Sequence, residues 1–380
     1  MAVRIALRAR IRKRLRAALG RLLGMLFTAN LSNEPIPQKQ LRRILIVRTN
    51  HRIGNLLFLT PLLRALHDLL ANCQIDLVIG LQAARSLLQP LPGIDRVYVL
   101  PKPALSTLPG MLQLLRRLRG NRYDLSIDPN GKSASGRLAL ALVSSRWRLG
   151  FRVEGSWSPI THGVTLPQQT LHEAQRPLLL LQALQGGKQA KQMIATATLH
   201  LALRDEEKCK GAQTLQSLLA VKPTQDNETL VLGLFRHARR DKRIADEWWL
   251  SWIQEFHKIA PQVCMLEVLS PDVTKPLLGD AATLQIADLR LLAAVLSQLD
   301  IFVCADTGPM HLASAAGVPT IALFNATTPA LYGPVGADDL VLQQNQLSAK
   351  ELAEAVYKHL RKLRPLHFGT VTVPAEGMGP

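Results

Sequence analysis

The chain has 380 residues, is 47% apolar and 4% aromatic, and carries 46 lysines and arginines against 28 acids, a formal net charge of +18. That length suits two domains of ordinary size, and the apolar fraction supplies ample core. The four cysteines (Cys73, Cys209, Cys264, Cys304) are scattered with no C-x-x-C spacing, which argues against a zinc site or a disulfide framework and suits a reducing cytosol.

The charge is unevenly placed. Residues 1–33 hold eight arginines and lysines and no acid; Glu34 is the first. Leu7, Ile11, Leu15, Leu19, Leu22 and Leu26 recur at three- and four-residue steps and so form one helical stripe, with Arg4, Arg8, Arg12, Lys13, Arg14 and Arg16 crowding the rest. No apolar run approaches the roughly 20 residues that span a bilayer. The pattern predicts a basic amphipathic helix lying in the plane of an anionic membrane surface. A nucleic-acid contact would rest on charge alone. An Arg-rich transit or signal segment is the other alternative, although Arg21 interrupts its would-be apolar centre.

Residues 30–40 form a polar, proline-containing linker, and residues 42–47 a first buried strand. A helix is expected over 55–70 with Pro61 inside it, strands over 75–79 and 97–100, a helix over 108–119 and a strand over 125–127. Strands alternating with helices predict a doubly wound parallel sheet. The charged, Gly- and Pro-containing stretch around 204–228 reads as an inter-domain connection that includes a short helix. A second series follows: strand 230–234, helix 248–259, strand 263–268, helix 289–299, strand 301–304 and a terminal helix over 347–363. The expected division is a basic amphipathic membrane-surface helix (1–33), a first α/β domain (41–204), a linker (205–228), a second α/β domain (229–365) and a tail (366–380). No internal repeat and no metal-ligand cluster is visible in the sequence.

Residues 301–324, IFVCADTGPMHLASAAGVPTIALF, carry the strongest signal. A buried strand runs into a sharp turn at Asp306-Thr307-Gly308-Pro309, then a small-residue helix with His311 in its first turns, then Gly317-Val318-Pro319 and a second buried strand. The helix begins at the carboxyl end of a strand, where free N–H groups and the helix dipole favour a phosphate and where open α/β sheets bind ligands. An ordinary βαβ unit with a tight turn would look the same.

This D-T-G-x-x-H-L-A-x-A-x-G-x-P-T run resembles the signature of the lipopolysaccharide heptosyltransferases, glycosyltransferase family 9. ILIVRTNHRIGNLLFLTPLLRAL at 44–66 is similar to the family's strand, Gly-Asp loop and Thr-Pro helix. Arg240-Asp241-Lys242-Arg243 followed by Trp248 and Trp249 resembles its D-K-x-W segment, and YDLSIDPNG at 123–131 is a weaker match. The resemblance covers residues 42–340 in the right order. It implies a GT-B fold: two Rossmann-like doubly wound parallel-sheet domains facing a cleft, here with the N-terminal basic amphipathic helix added. It further implies an inverting, metal-independent glycosyltransferase without a cofactor. Such an enzyme moves a heptose or related sugar from a nucleotide-diphosphate donor, ADP-linked by family default, to a lipid-linked saccharide such as lipopolysaccharide core. The expected place is the cytoplasm, peripheral on the inner face of the bacterial inner membrane, with the anionic membrane surface met by residues 1–33 and no nucleic acid bound.

Sugar transfer must stabilise a diphosphate leaving group and remove a proton from the acceptor hydroxyl. Lys242 and the N–H groups at Thr307 and Gly308 are the proper types for the first task. The resemblance gives Lys242 a phosphate contact and gives Asp306, Thr307, Gly308 and His311 donor-binding roles. The bland readings are a surface charge for Lys242, a core or capping histidine for His311 and a helix cap for Asp306. After the 230–234 strand the family's small residues are replaced by Phe235, Arg236 and His237, whose extra positive charge suits phosphate but alters the nucleotide pocket. Ser270-Pro271-Asp272 also lacks the usual Gly-rich character.

The first loop departs from the family in the residue that matters most. Where the family carries an Asp as proposed catalytic base, this chain has Asn55, within His51-Arg52-Ile53-Gly54-Asn55. An amide does not accept a proton near neutral pH. His51 or Asp128 would then take the proton, or Asn55 would only orient the acceptor, or the chain would be a catalytically impaired binding or scaffold protein of cell-envelope glycan assembly. Arg52 and Gly54 in the loop, and Lys132 and Ser133 after the 125–127 strand, are candidate acceptor-side residues. Arg137, His172, Glu173 and Arg176 add polar and charged groups nearby in the sequence that suit anionic core sugars or simply a solvated face.

Overall fold

The structure is a computed structural model and describes residue 27 and residues 29–365 except 102–107, 131–132, 154–157, 186, 220–229, 274 and 280–282. The expected N-terminal amphipathic helix, apart from its last residues, the tail after 365, Lys132 and part of the expected linker lie outside the described residues. The chain divides into two compact units, 1–202 and 203–380.

The first unit is a six-stranded parallel sheet: β1 (Arg43–Arg48), β2 (Gln74–Ile79), β3 (Ile94–Val99), β4 (Tyr123–Asp128), β5 (Ser145–Phe151) and β6 (His162–Val164). The strand order is 3-2-1-4-5-6, the doubly wound order whose direction of progression reverses beside β1. β1 is buried on both faces from Ile44 to Arg48, as an apolar run covered by helices on either side should be. Part of the segment expected as linker (30–40) is packed on the fold: Ser32 pairs beside β6, its N–H reaching Thr161 O at 2.8 Å, and Ile36 is buried.

The helix expected over 55–70 is two helices, α1 (Ile53–Leu57) and α2 (Thr60–Leu69). Pro61 is the reason. Having no N–H, it cannot bond the Leu57 carbonyl, and it is tolerated only in a first turn. The Thr60 hydroxyl donates to that carbonyl instead, at 2.8 Å. Next come α3 (Leu108–Gly120), which packs Leu118 against the sheet, and α4 (Ala134–Leu142), which adds Leu140.

The second unit repeats the plan. It opens with α5 (Asp205–Leu219), within the segment read as a connection, and this helix packs on the unit's own α7 (Leu289–Leu296). Its sheet comprises β7 (Val231–Phe235), β8 (Cys264–Val268), β9 (Thr283–Leu284), β10 (Ile301–Ala305), β11 (Thr320–Phe324) and β12 (Leu340–Gln343), all parallel, in the order 12-11-10-7-8-9. Renumbered from its first strand, this is again 3-2-1-4-5-6. Trp249, Trp252 and Phe256 of α6 (Asp246–Ile259) and Leu352, Val356 and Leu360 of α9 (Ala349–Leu363) fill one core with β7, β10 and β11. Between β10 and β11 lies α8 (Gly308–Ala316), closed by Gly317 at φ 86°, a left-handed position that suits only glycine without strain.

Candidate functional site

Each sheet reverses direction between its first and fourth strands, and residues leaving the carboxyl ends of those two strands border the resulting crevice. In the second unit these are the segments after β7 and β10, and in the first those after β1 and β4.

In the second unit, β10 delivers Asp306 to the start of α8. Asp306 is almost fully buried. Its carboxylate pairs with Lys242 Nζ at 2.6 Å and accepts a hydrogen bond from the Thr327 hydroxyl. It does not cap α8, as its position had suggested. The N-cap is Thr307, in extended conformation and making no side-chain cap bond, and Pro309 lies in the first turn. Among the described residues Thr307 Oγ1 has no hydrogen-bond partner, though it is buried. The amino end of α8 thus presents N–H groups that no side chain caps, beside a partly exposed ammonium. Gly308 opens the helix and His311 is buried within its first turns. Lys242 ends a short 3-10 turn, Arg240–Lys242, whose Arg240 adopts φ 56°.

The expectation for Arg236 is corrected. Its guanidinium bonds Glu267 at 2.7 Å, Asp246 at 2.8 Å and the Lys275 carbonyl at 2.7 Å. Glu267, itself fully buried, also accepts the N–H groups of Leu277 and Leu278. Arg236 therefore fixes the loop after β8 rather than offering charge to a phosphate. Burial, aided by Arg236, pushes the His237 imidazole pKa down toward the neutral form; its ring stands edge-on to Phe235 with centroids 5.6 Å apart. The extra positive charge read after β7 is thus largely spent within the fold.

In the first unit, β1 ends at Arg48, buried and donating to the Pro129 carbonyl at 3.3 Å. The loop beyond is held by side chains: Thr49 Oγ1 meets Ser135 Oγ at 2.7 Å, and His51 Nδ1 meets the Gly80 carbonyl at 2.6 Å. Arg52 is exposed ahead of α1, Gly54 is buried in it, and Asn55 is half-buried. Ser133 caps α4, its hydroxyl accepting the Gly136 N–H at 3.0 Å.

Asp128 closes β4 but is inaccessible, at 0% exposure. Oδ1 accepts the Asn130 N–H at 3.0 Å, and Oδ2 lies 3.4 Å from Arg137 Nε. Gly136 makes room for it: a Cβ there would stand 2.9 Å from the carboxylate. Burial pushes this carboxyl up to about 7, against the pull of Arg137, the Asn130 N–H and Arg48. A carboxylate so enclosed organises the turn after β4 and cannot reach an acceptor in this conformation. Glu173 pairs with Arg176. His172 Nδ1 accepts the Ala174 N–H, and its ring packs edge-on against Phe58.

The predicted donor residues Lys242, Asp306, Thr307, Gly308 and His311 come together at one helix start. Sequence reasoning missed Thr327, Arg48 and Gly80. Only their places at a strand end or up to three residues beyond one could have flagged them.

Residues 279–360, which include that helix start, match the family model described as glycosyltransferase family 9 (heptosyltransferase). The chain is 24% identical over 301 residues to lipopolysaccharide heptosyltransferase 3 of Escherichia coli (strain K12), covering 74% of this chain and 82% of that protein. Its fold matches the family 9 glycosyl transferase of Veillonella parvula DSM 2008 with a TM-score of 0.71 at 19% identity, over 88% of this chain and 99% of the other. E. coli heptosyltransferase WaaC, solved with ADP, matches with a TM-score of 0.63 at 19% identity, over 84% and 99%. Among the described residues no helix is long and apolar enough to cross a membrane, and no group of three or more His, Cys, Asp or Glu side chains could hold a metal ion.

Proposed function

Taking the chain as a heptosyltransferase-like glycosyltransferase of family 9, we propose that it transfers a heptose or a related sugar, with inversion and without a metal, from an ADP-linked donor to a lipid-linked saccharide such as lipopolysaccharide core. The observation that carries this reading is the Lys242–Asp306 pair at the uncapped amino end of α8. As the bond from anomeric carbon to phosphate oxygen breaks, negative charge builds on the diphosphate. An ammonium and a helix N-terminus aimed at that charge stabilise it without a metal ion. Asp306 and Thr327 are then suited to hydroxyls of the donor sugar, since a carboxylate and a hydroxyl both accept sugar O–H groups. On the first unit, Arg52, Gly54 and Ser133 are the described acceptor-side residues. The basic segment 1–33 would hold the protein on the anionic cytoplasmic face of the inner membrane, raising the effective concentration of a lipid-borne acceptor.

The test is release of ADP from ADP-heptose with a truncated lipopolysaccharide acceptor, run beside Lys242→Ala. Acceptor-dependent release that the substitution abolishes supports the proposal, and the configuration of the new glycosidic bond reports inversion. A wild-type chain that releases no nucleotide from any nucleotide-sugar, yet binds ADP, would sink the transfer reading in favour of a binding protein. Deleting residues 1–33 should release the protein from anionic liposomes; continued pelleting with them removes the membrane assignment.

A further inference from the structure

We propose that His51 Nε2 is the general base of the transfer, standing in for the carboxylate that Asn55 replaces. This rests on the transfer reading above. Asn55 is an amide and cannot take the proton. Asp128 is wholly enclosed and Glu173 is tied to Arg176. Arg52 and Arg48 are cations. His51, in contrast, is an exposed residue of the loop that leaves β1, two residues before α1.

Its ring is also set. Nδ1 lies 2.6 Å from the Gly80 carbonyl. A carbonyl oxygen can only accept, so in the neutral ring Nδ1 carries the hydrogen and Nε2 carries the lone pair. The same bond remains favourable after Nε2 gains a proton, because Nδ1 still donates and the carbonyl dipole faces the new cation. The fold makes this contact by bringing the ends of β1 and β2 into backbone contact. Gly80 is pressed so close that a Cβ there would stand 2.4 Å from the Thr49 carbonyl oxygen. A side chain at position 80 would force the Thr49 backbone, and with it the loop that carries His51, to shift.

The acceptor hydroxyl gives its proton to Nε2, and its oxygen lone pair forms the new bond to the anomeric carbon. The bond from that carbon to the phosphate oxygen breaks, its electron pair leaving on the nucleoside diphosphate. The imidazolium then returns the proton to solvent.

The experiment measures acceptor-dependent ADP release by the full-length protein and its His51→Ala, His51→Gln, Gly80→Ala and Glu173→Gln variants, with ADP binding and melting temperature recorded for each. General-base removal costs on the order of 100-fold or more in turnover. The expected result is such a loss in both His51 variants, with ADP affinity unchanged and with imidazole added to His51→Ala restoring part of the rate. Glutamine keeps an N–H for the Gly80 carbonyl but cannot take the proton, so a His51→Gln variant as active as wild type would assign His51 to loop positioning and overturn the proposal. A His51→Ala variant that keeps its turnover, or a loss that falls on Glu173→Gln instead, overturns it equally while leaving the transfer reading intact. Gly80→Ala should lower turnover without weakening ADP. A wild type inactive with every nucleotide-sugar removes both.

Discussion

Lys242 Nζ lies 2.6 Å from the Asp306 carboxylate, though 64 residues separate them in the sequence. The pair is half-open: the Lys242 side chain is 30% exposed and that of Asp306 only 4%. Under the proposed function an incoming diphosphate would compete with Asp306 for one ammonium, and the two substitutions should then move ADP binding in opposite directions. Lys242→Ala removes a charge-assisted bond, about 1.5–3 kcal/mol, and should weaken ADP roughly 10- to 100-fold. Asp306→Asn removes the competing anion and should tighten ADP while lowering sugar transfer. Calorimetric titration with ADP reads both; weaker ADP binding in Asp306→Asn would show that the pair supports the phosphate site rather than competing with it.

Glu207 on α5 grips Arg290 on α7 with both oxygens, at 2.9 and 2.8 Å. The Arg290 hydrogen bonds hold the Glu207 carboxyl down at about 2. A depressed carboxyl stabilises the fold at pH values above its unfolded pKa, so this contribution is complete above about 4.5 and fades as the pH falls toward 2. Glu207→Gln should cost about 1–3 kcal/mol at neutral pH and shrink the acid-side loss of melting temperature. Equal acid sensitivity in the two proteins would remove the assignment.

The same two helices meet at Gly211. A Cβ there would lie 2.3 Å from the Ala294 carbonyl oxygen, a backbone atom that cannot swing aside. Gly211→Ala should therefore destabilise the second unit by roughly 1–3 kcal/mol despite the better helix propensity of alanine. A melting temperature at or above wild type would show that the helices separate freely.

Asp128 gives the opposite pH signature. Its folded carboxyl holds its proton to about 7, against 3.8 for the ordinary group. Folding takes up a proton in that interval, so the Asp128 contribution to stability falls as the pH rises from about 4 to 7 and is level above. Asp128→Asn should abolish this slope, visible as a wild-type minus variant difference in melting temperature that changes across that range and then stays flat. A difference independent of pH would mean that Arg137 keeps the carboxyl ionised throughout.

What was legible in the sequence tracks the physics of each element. β1, β2, β7, β8, β10 and β11 are strands shielded on both faces, and their apolar runs announced them. β5 reads SRWRLGF, with arginines among its first residues, and β6 and β9 have only three and two residues; neither kind carries a run long enough to recognise. α5 falls in the stretch that reads as a connection with a short helix; it is a full 15-residue helix, and its charged and glycine residues look like linker. They are instead a helix start rich in acids and a close-packing site. Asp306, Thr307, Gly308 and His311 were legible because they sit in one contiguous turn and helix start. Arg236 was not, because the acids that neutralise it lie 10 and 31 residues away and only the fold delivers them. Asp306 looked like a helix cap for the same reason, its true partner Lys242 being far off in the chain.

The shared strand order has a consequence for how the polypeptide is made. In both sheets the central pairing joins the first strand to the fourth, as Ile44 to Leu125 and Leu232 to Ile301. The middle of each sheet therefore cannot close until well over half of its strands have emerged from the ribosome, and such long-range parallel pairing is slow. All six strands of the first sheet, however, precede residue 165, before any residue of the second unit has been translated. The duplication thus turns one long search into two successive ones, and the nascent chain can settle the first while the second is still unsynthesised.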